Sequence, residues 1–410
     1  MTVPDIPADQ PSCPVCCARG RPLLYLPAQP IYQHPVPADV VVPEPHAIDL
    51  RWLACTHCCH AWQPEFDHAL LERIYRSHYY TPAPAGIGVQ FRNDFLSAVE
   101  RFGLDTPRRV LLEIGASDGD VLVELKTRTG AARAYAFEPN SENAAVARRR
   151  GLEVLEEFFD ESVTSKDLDR ADLICARHVI EHIFDFNRFF AGLNAMATPL
   201  ADLILETPSL DYHADRGSIV PFHIEHLHVF ALRSLARLSY NHGWCLQQAE
   251  VTTPGNLIAS FKRGGVAVEV PPPPLVGLQD AVGRRRDYLR NVLADRQLVL
   301  WGAGSAGAAL VSTIGREPEI WTDGNPNKVG KKYVGLTRRI VSPEVAFAQA
   351  KSPAFSRPLL VVASSFVEEI LARIQGLGWT GEILDMSGNA LSAGSGGYEQ
   401  PAPPGSYQEI

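Results

Sequence analysis

The run Arg109-Val110-Leu111-Leu112-Glu113-Ile114 is an apolar strand that leads directly into Gly115-Ala116-Ser117-Asp118-Gly119 and then into the helical segment VLVELKTR. A strand, a turn with glycine at both ends and a helix leave few folds open. Glycine lets the backbone turn tightly and approach a ligand, and the helix start presents unpaired N–H groups to it. The next apolar run ends at Ala136-Phe137-Glu138-Pro139. Its carboxylate stands about 20 residues past the loop, where a strand-terminal acid can accept both ribose hydroxyls of an adenosine. On residues alone, this segment binds a nucleotide-like ligand within a doubly wound α/β layer.

Organisation along the chain agrees with that layer. The apolar runs RRVLLEIG, ARAYAFEP, LEVLEEFF, ADLICARHVI and ADLILETP alternate with helical stretches, the pattern of a mostly parallel sheet. A second α/β unit follows the stiff Pro271-Pro272-Pro273-Pro274 spacer. It contains Gly302-Ala303-Gly304-Ser305-Ala306-Gly307 after a strand, with Asp323 further on. By itself this motif points to NAD and an oxidoreductase; a site for a substrate's nucleotide or phosphate, or a purely structural domain, are the alternatives. The expected division is residues 1–66, 67–265 with a helical lead-in, 275–389, and a disordered tail over 390–410.

Six of the eight cysteines lie before residue 60. Cys13-Pro14-Val15-Cys16 and Cys55-Thr56-His57-Cys58 form two CxxC knuckles, whose thiolates fit the corners of one tetrahedral, closed and therefore structural zinc site. Cys17 and Cys59 follow the knuckles and are expected as small buried residues, as are Cys175 and Cys245 in apolar strands. Arg284-Arg285-Arg286 is expected on a solvated helix face. A formal net charge of −9 argues against nucleic acid as partner. No apolar stretch reaches the roughly 20 residues that span a bilayer, and the N-terminus lacks the features of a secretory signal. A cytoplasmic protein without a membrane partner is the expectation.

With Glu113, Gly115–Gly119 and Glu138 in place, the sequence resembles a class I S-adenosylmethionine (SAM)-dependent methyltransferase. The resemblance implies that Glu113, Gly115, Ala116, Ser117, Asp118 and Gly119 frame the methionine end and that Glu138 binds the ribose. It places Phe158 or Phe159 beside the adenine. Arg177-His178-Val179-Ile180-Glu181-His182 matches the family's H-V-[IL]-E-H segment, which brings His178 to the cofactor and His182 to the reaction site.

A further cluster lies in Pro221-Phe222-His223-Ile224-Glu225-His226-Leu227-His228. Imidazoles packed with a carboxylate suit either a metal site or proton transfer. The layout from Cys13 to the GEILDM strand resembles the deoxysugar C-methyltransferases: a small N-terminal zinc-binding module, a central class I methyltransferase sheet and a C-terminal Rossmann-like α/β domain. That resemblance implies a nucleotide-linked keto sugar as acceptor. His226, held by Glu225, would be the base, with Tyr79 or Tyr80 assisting. The family's Tyr-His-Glu-His segment becomes His223-Ile224-Glu225-His226 here. His223 thereby takes the place of a tyrosine that donates to a developing oxyanion, and O- or N-methylation of another small molecule stays open. Oligomeric state is not legible.

Overall fold

The computed structural model describes residues 11–42, 45–76, 87–165, 167–253, 255–273, 275, 277–364, 367–386 and 388–391. Its first sheet is built from β1 (Gly20–Pro30), β2 (Ala47–Cys55) and β3 (Ala61–Trp62), paired antiparallel. The helices α1 (His68–Arg76) and α2 (Ile87–Arg101) lead on to the central unit.

The central unit runs β4 (Val110–Ile114), α3 (Asp120–Thr129), β5 (Arg133–Phe137), α4 (Ser141–Arg149), β6 (Glu153–Leu155), β7 (Ala171–Arg177), α5 (Phe186–Met196), β8 (Ala197–Pro208), α6 (Leu210–Asp215), β9 (His228–Val229), α7 (Leu232–Asn241), β10 (Trp244–Val251) and β11 (Asn256–Arg263). Its sheet has the order β6-β5-β4-β7-β8-β11-β10. The first five strands are parallel, and β11 enters antiparallel between β8 and β10. Strand β4 is buried at every position, as a parallel strand covered on both faces must be. Helix starts follow local chemistry: the Asn140 and Asp185 side chains cap α4 and α5, each accepting two backbone N–H groups. The strand order reverses between β4 and β7, so the two loops leaving these strands diverge and open a crevice at their carboxyl ends.

The last unit holds α8 (Leu278–Leu293), β12 (Gln297–Trp301), α9 (Ser305–Ile314), β13 (Ile320–Thr322), β14 (Ile340–Val341), α10 (Pro343–Ala350), β15 (Pro358–Val362), α11 (Val367–Gly376), β16 (Ile383–Asp385) and β17 (Ala390–Leu391), with sheet order β14-β13-β12-β15-β16-β17. Ordered structure therefore continues two residues into the expected tail, because Ala390–Leu391 pair back on β16; residues 392–410 lie outside the described residues.

These units share cores. Strand β9 pairs antiparallel with β3, so the sheet of the cysteine module is completed by residues more than 160 positions away. The module expected over residues 1–66 does not close on itself. His60 Nε2 meets His228 Nδ1 at 3.0 Å, and His228 Nε2 meets the Ile183 carbonyl at 3.1 Å. One apolar cluster combines Leu24 and Trp52 of the first sheet with Phe222, Ile224 and Leu227, and with Leu278, Val282 and Ala309 of the last unit. Gln29 Nε2 donates to Ser312 Oγ at 2.8 Å, and Arg285 donates to the carbonyls of Arg216 and Gly217. Arg285 thus departs from the solvated face expected for it, since a helix-end carbonyl pair lies within its reach. Cys17 is exposed rather than buried, whereas Cys59, Cys175 and Cys245 are buried. Cys17 and Cys59 both take φ of 61°, the left-handed turn that closes a knuckle, so backbone geometry rather than packing governs Cys17. Among the described residues no helix is long and apolar enough to cross a membrane.

Burial holds His213 and His228 neutral, each down to about 3. Unfolding returns them to ordinary histidines near 6.5, so the unfolded chain binds more protons between those values. Their stabilisation is complete above about pH 6.5 and is lost as pH falls towards 3. Thermal unfolding should show stability dropping by about 1.4 kcal/mol per pH unit for each of the two histidines below pH 6, and His228→Asn should reduce that slope.

Candidate functional site

The loop after β4 is set by its own backbone. Gly115 has φ of 70°, and a Cβ there would lie 2.5 Å from Val179 Cγ2. The glycine therefore admits the segment after β7 against the loop. Glu138, at the end of β5, accepts the Ser117 N–H through Oε2 and the Asn140 N–H through Oε1, both at 2.8 Å. Burial raises its pKa, with these two bonds opposing. Beneath the loop, Glu113 is fully buried and its Oε2 has no hydrogen-bond partner. Burial pushes it up to about 8 against the pull of Arg177, so it is mostly neutral at pH 7. Asp118 pairs with Arg150 at 2.9 Å. Phe159 packs into the core against Phe137 and Phe189, which leaves the exposed Phe158 as the ring available to a ligand.

The segment after β7 carries a buried charge network. Arg177 Nε donates to Glu206 Oε2 at 2.7 Å, and Asn256 Nδ2 donates to Glu206 Oε1 at 3.0 Å. His178 lies between Glu181, at 3.3 Å, and Glu206, at 3.7 Å. Although burial opposes its charge, the two carboxylates raise His178 to about 9. Burial likewise opposes the charge on Glu206, but Arg177 and His178 hold its carboxyl at about 2. His178 takes φ of 53° and Ser117 51°, so both turns bordering the crevice hold a non-glycine residue in left-handed backbone.

The third part is the loop 221–228. His182 Nδ1 meets the Glu225 carbonyl at 2.7 Å, and His226 Nδ1 meets the Pro221 carbonyl at 2.8 Å. A neutral ring that donates from Nδ1 carries its lone pair on Nε2. Burial lowers the pKa of both, keeping them neutral. The rings of His182 and His223 lie 4.9 and 3.8 Å from that of His226. One carboxylate oxygen of Glu181 and one nitrogen each of His182 and His226 lie within 4.8 Å of one another, a set able to hold a metal ion. The Pro221 carbonyl orients His226 through Nδ1, and burial raises Glu225 to about 7. Ile224, where the resembled family has histidine, is buried in the shared apolar cluster. Tyr79 and Tyr80 lie outside the described residues.

Pattern reading missed Gln63. Its Nε2 donates to the carbonyls of His223, Ile224 and His226 at 3.1, 3.3 and 2.6 Å. The available signal was weak: a glutamine just past the second knuckle, in the short strand segment HAWQ.

The four knuckle sulfurs come together. Cys13–Cys58, Cys16–Cys55 and Cys16–Cys58 are 3.6, 3.4 and 3.5 Å apart. A Zn–S bond of about 2.3 Å places the sulfurs of a tetrahedron about 3.8 Å apart, so the set fits zinc with a small expansion. Val15 N–H points to Cys13 Sγ, and the His57 and Cys58 N–H groups point to Cys55 Sγ, as donors to thiolates do. In the last unit Asp323 repeats the arrangement of Glu138, accepting the Ala303 N–H at 2.7 Å and the Asn325 N–H at 2.8 Å, with Lys328 3.1 Å from Oδ2.

Residues 90–249 match the family model of a methyltransferase domain. The match lies within the central unit and its lead-in, from α2 to β10. No curated protein matches the sequence. Similar solved structures include a SAM-dependent methyltransferase from Aquifex aeolicus, at 17% identity and a TM-score of 0.35, over 48% of this chain and 100% of that one. Another is the 1,6-didemethyltoxoflavin N1-methyltransferase of Burkholderia thailandensis, at 15% and 0.34, over 51% and 98%. A third is the magnesium protoporphyrin IX methyltransferase of Synechocystis PCC 6803, at 11% and 0.35, over 49% and 99%.

Gly115→Ala should weaken SAM binding at least about tenfold by calorimetry, because the new Cβ must displace either Val179 or the loop at a backbone angle alanine disfavours. Unchanged affinity would show that the loop does not need its close approach to Val179.

Proposed function

We propose that the chain transfers a methyl group from SAM to a small-molecule acceptor, and that the acceptor is a nucleotide-linked keto sugar methylated at carbon. The observation that carries this reading is the neutral His226, pinned at Nδ1 and presenting its Nε2 lone pair beside His182, next to a segment that packs on the glycine loop. When bound, SAM supplies an electrophilic methyl group on a sulfonium sulfur and leaves as S-adenosylhomocysteine. Glu138 receives the ribose, Phe158 lies beside the adenine, and Glu113 with residues 115–119 frames the methionine end. His226 takes the proton from the carbon beside the ketone at Nε2, and His223, Tyr79 or Tyr80 donates to the oxygen on which charge develops. His178, held cationic by two carboxylates, borders the cofactor side.

His226→Ala should bind SAM within about twofold of the parent and lose roughly 10²-fold or more in turnover. Wild-type turnover in that variant would remove His226 as the base. In D2O the wild-type enzyme should exchange the proton beside the ketone of a nucleotide-linked keto sugar. Methylation of that sugar at oxygen without such exchange would overturn the carbon assignment.

A second reading rests on the close donor set of Glu181, His182 and His226. A divalent cation there would occupy the lone pair that a base needs. We expect one zinc per chain by elemental analysis, held by Cys13, Cys16, Cys55 and Cys58 and lost in Cys55→Ser. A second metal equivalent that disappears in His226→Ala would replace the base by a metal centre.

A further inference from the structure

We infer that Gln63, in the cysteine module, is the positioning residue for the loop that carries His223 and His226; the inference builds on the reading of His226 as base. Pro221, Phe222, Ile224, Glu225, His226 and Leu227 are all buried, in a segment that is neither helix nor strand. A buried irregular segment must find partners for its carbonyls within the loop or on the elements packed against it. The Pro221 carbonyl is met by the His226 ring and the Glu225 carbonyl by the His182 ring. The carbonyls of His223, Ile224 and His226 are all met by Gln63 Nε2, and the Leu227 carbonyl by the Gln63 backbone N–H at 3.0 Å. One residue at the end of β3 therefore reaches four carbonyls of the loop, of which that of His223 is also met by the His226 N–H at 3.2 Å.

The amide is suited to this in a way its neighbours in size are not. Its NH2 brings two hydrogens to a cluster of three carbonyl oxygens, and the bond to His226, at 2.6 Å, is the shortest of the three. Gln63 is 5% exposed, so removing the donor leaves buried carbonyls without replacement by water. The anchor of the His226 ring, the Pro221 carbonyl, sits in the same loop. Loosening the loop therefore changes both the base and the group that sets its tautomer.

The test uses two near-isosteric variants of the full chain: Gln63→Met, which has no side-chain donor, and Gln63→Glu, whose carboxyl offers one O–H when protonated. Both should keep their zinc and bind SAM with a dissociation constant within about twofold of the parent, since Gln63 touches neither site. Amide hydrogen exchange across residues 223–227 should accelerate at least about tenfold, and the His226 imidazole ¹⁵N signals should shift. Gln63→Met should show the larger change, because the buried carboxyl of Gln63→Glu protonates and donates one O–H to the carbonyls. Exchange and imidazole signals equal to wild type in zinc-loaded Gln63→Met would overturn the inference. Should neither variant accumulate folded, the wild-type protein decides. Its Gln63 side-chain amide protons should exchange as slowly as core backbone amides, and exchange at the rate of a solvated glutamine overturns it. None of these readouts uses turnover. A held loop in an enzyme whose His226→Ala variant remains active would leave this inference standing and remove only the base.

Discussion

The pairing of β3 with β9 joins two parts of the chain that local sequence treats as unrelated. His228 supplies both a rung of that pairing and an imidazole that bridges His60 to the Ile183 carbonyl. Because both rings are buried and neutral, the bridge works as a hydrogen-bond chain with a defined direction: His228 donates to the carbonyl, so His60 donates to His228. The loop at 221–227 hangs from one end of this connection and the segment after β7 from the other. Of the two, Gln63 holds only the loop, through the carbonyls of His223, Ile224, His226 and Leu227. The knuckles, whatever their affinity for zinc, hold the base of the strands from which these contacts arise.

Electrostatics divides the crevice into two halves. On the side of β7 and β8, Arg177, Glu206, His178 and Glu181 form a dense charged network in which each charge stabilises its neighbour against burial. On the side of the 221–228 loop, burial outweighs the Glu181 carboxylate near His182 and His226 and drives His182, His226 and His228 neutral. The same residue type thus serves as a fixed cation at 178 and as a lone-pair carrier at 226, with the difference set by what lies within about 4 Å of each ring.

Features set by short spacing were legible in the sequence. The glycine loop, the strand-terminal Glu138 and the two CxxC knuckles each depend on residues a few positions apart, or on one strand–helix repeat, and the structure brings their members together. Features set by pairing across the fold were not. Gln63 and His60 acquire their partners only through β3–β9 register, and nothing in HAWQ marks which distant carbonyls they will meet. At His226 the sequence marked the ring but not its anchor, the carbonyl of Pro221 five residues back, which meets Nδ1. At Phe158-Phe159 the residues were legible as a pair, but only packing against Phe137 and Phe189 separates the exposed ring from the core ring.

The β3–β9 junction also bears on how the chain assembles as it is synthesised. Both knuckles and strands β1 to β3 are complete once Trp62 has emerged, yet the sheet they form keeps an open edge until Val229 arrives. At a translation rate of about 5–20 residues per second, that edge waits for roughly 10–30 s. An unpaired strand edge is a template for other chains, so the early part of this protein passes through a sticky interval. The two-residue length of β3 keeps that edge short. A strand that would look too small to matter in the finished fold is thereby well suited to the nascent one.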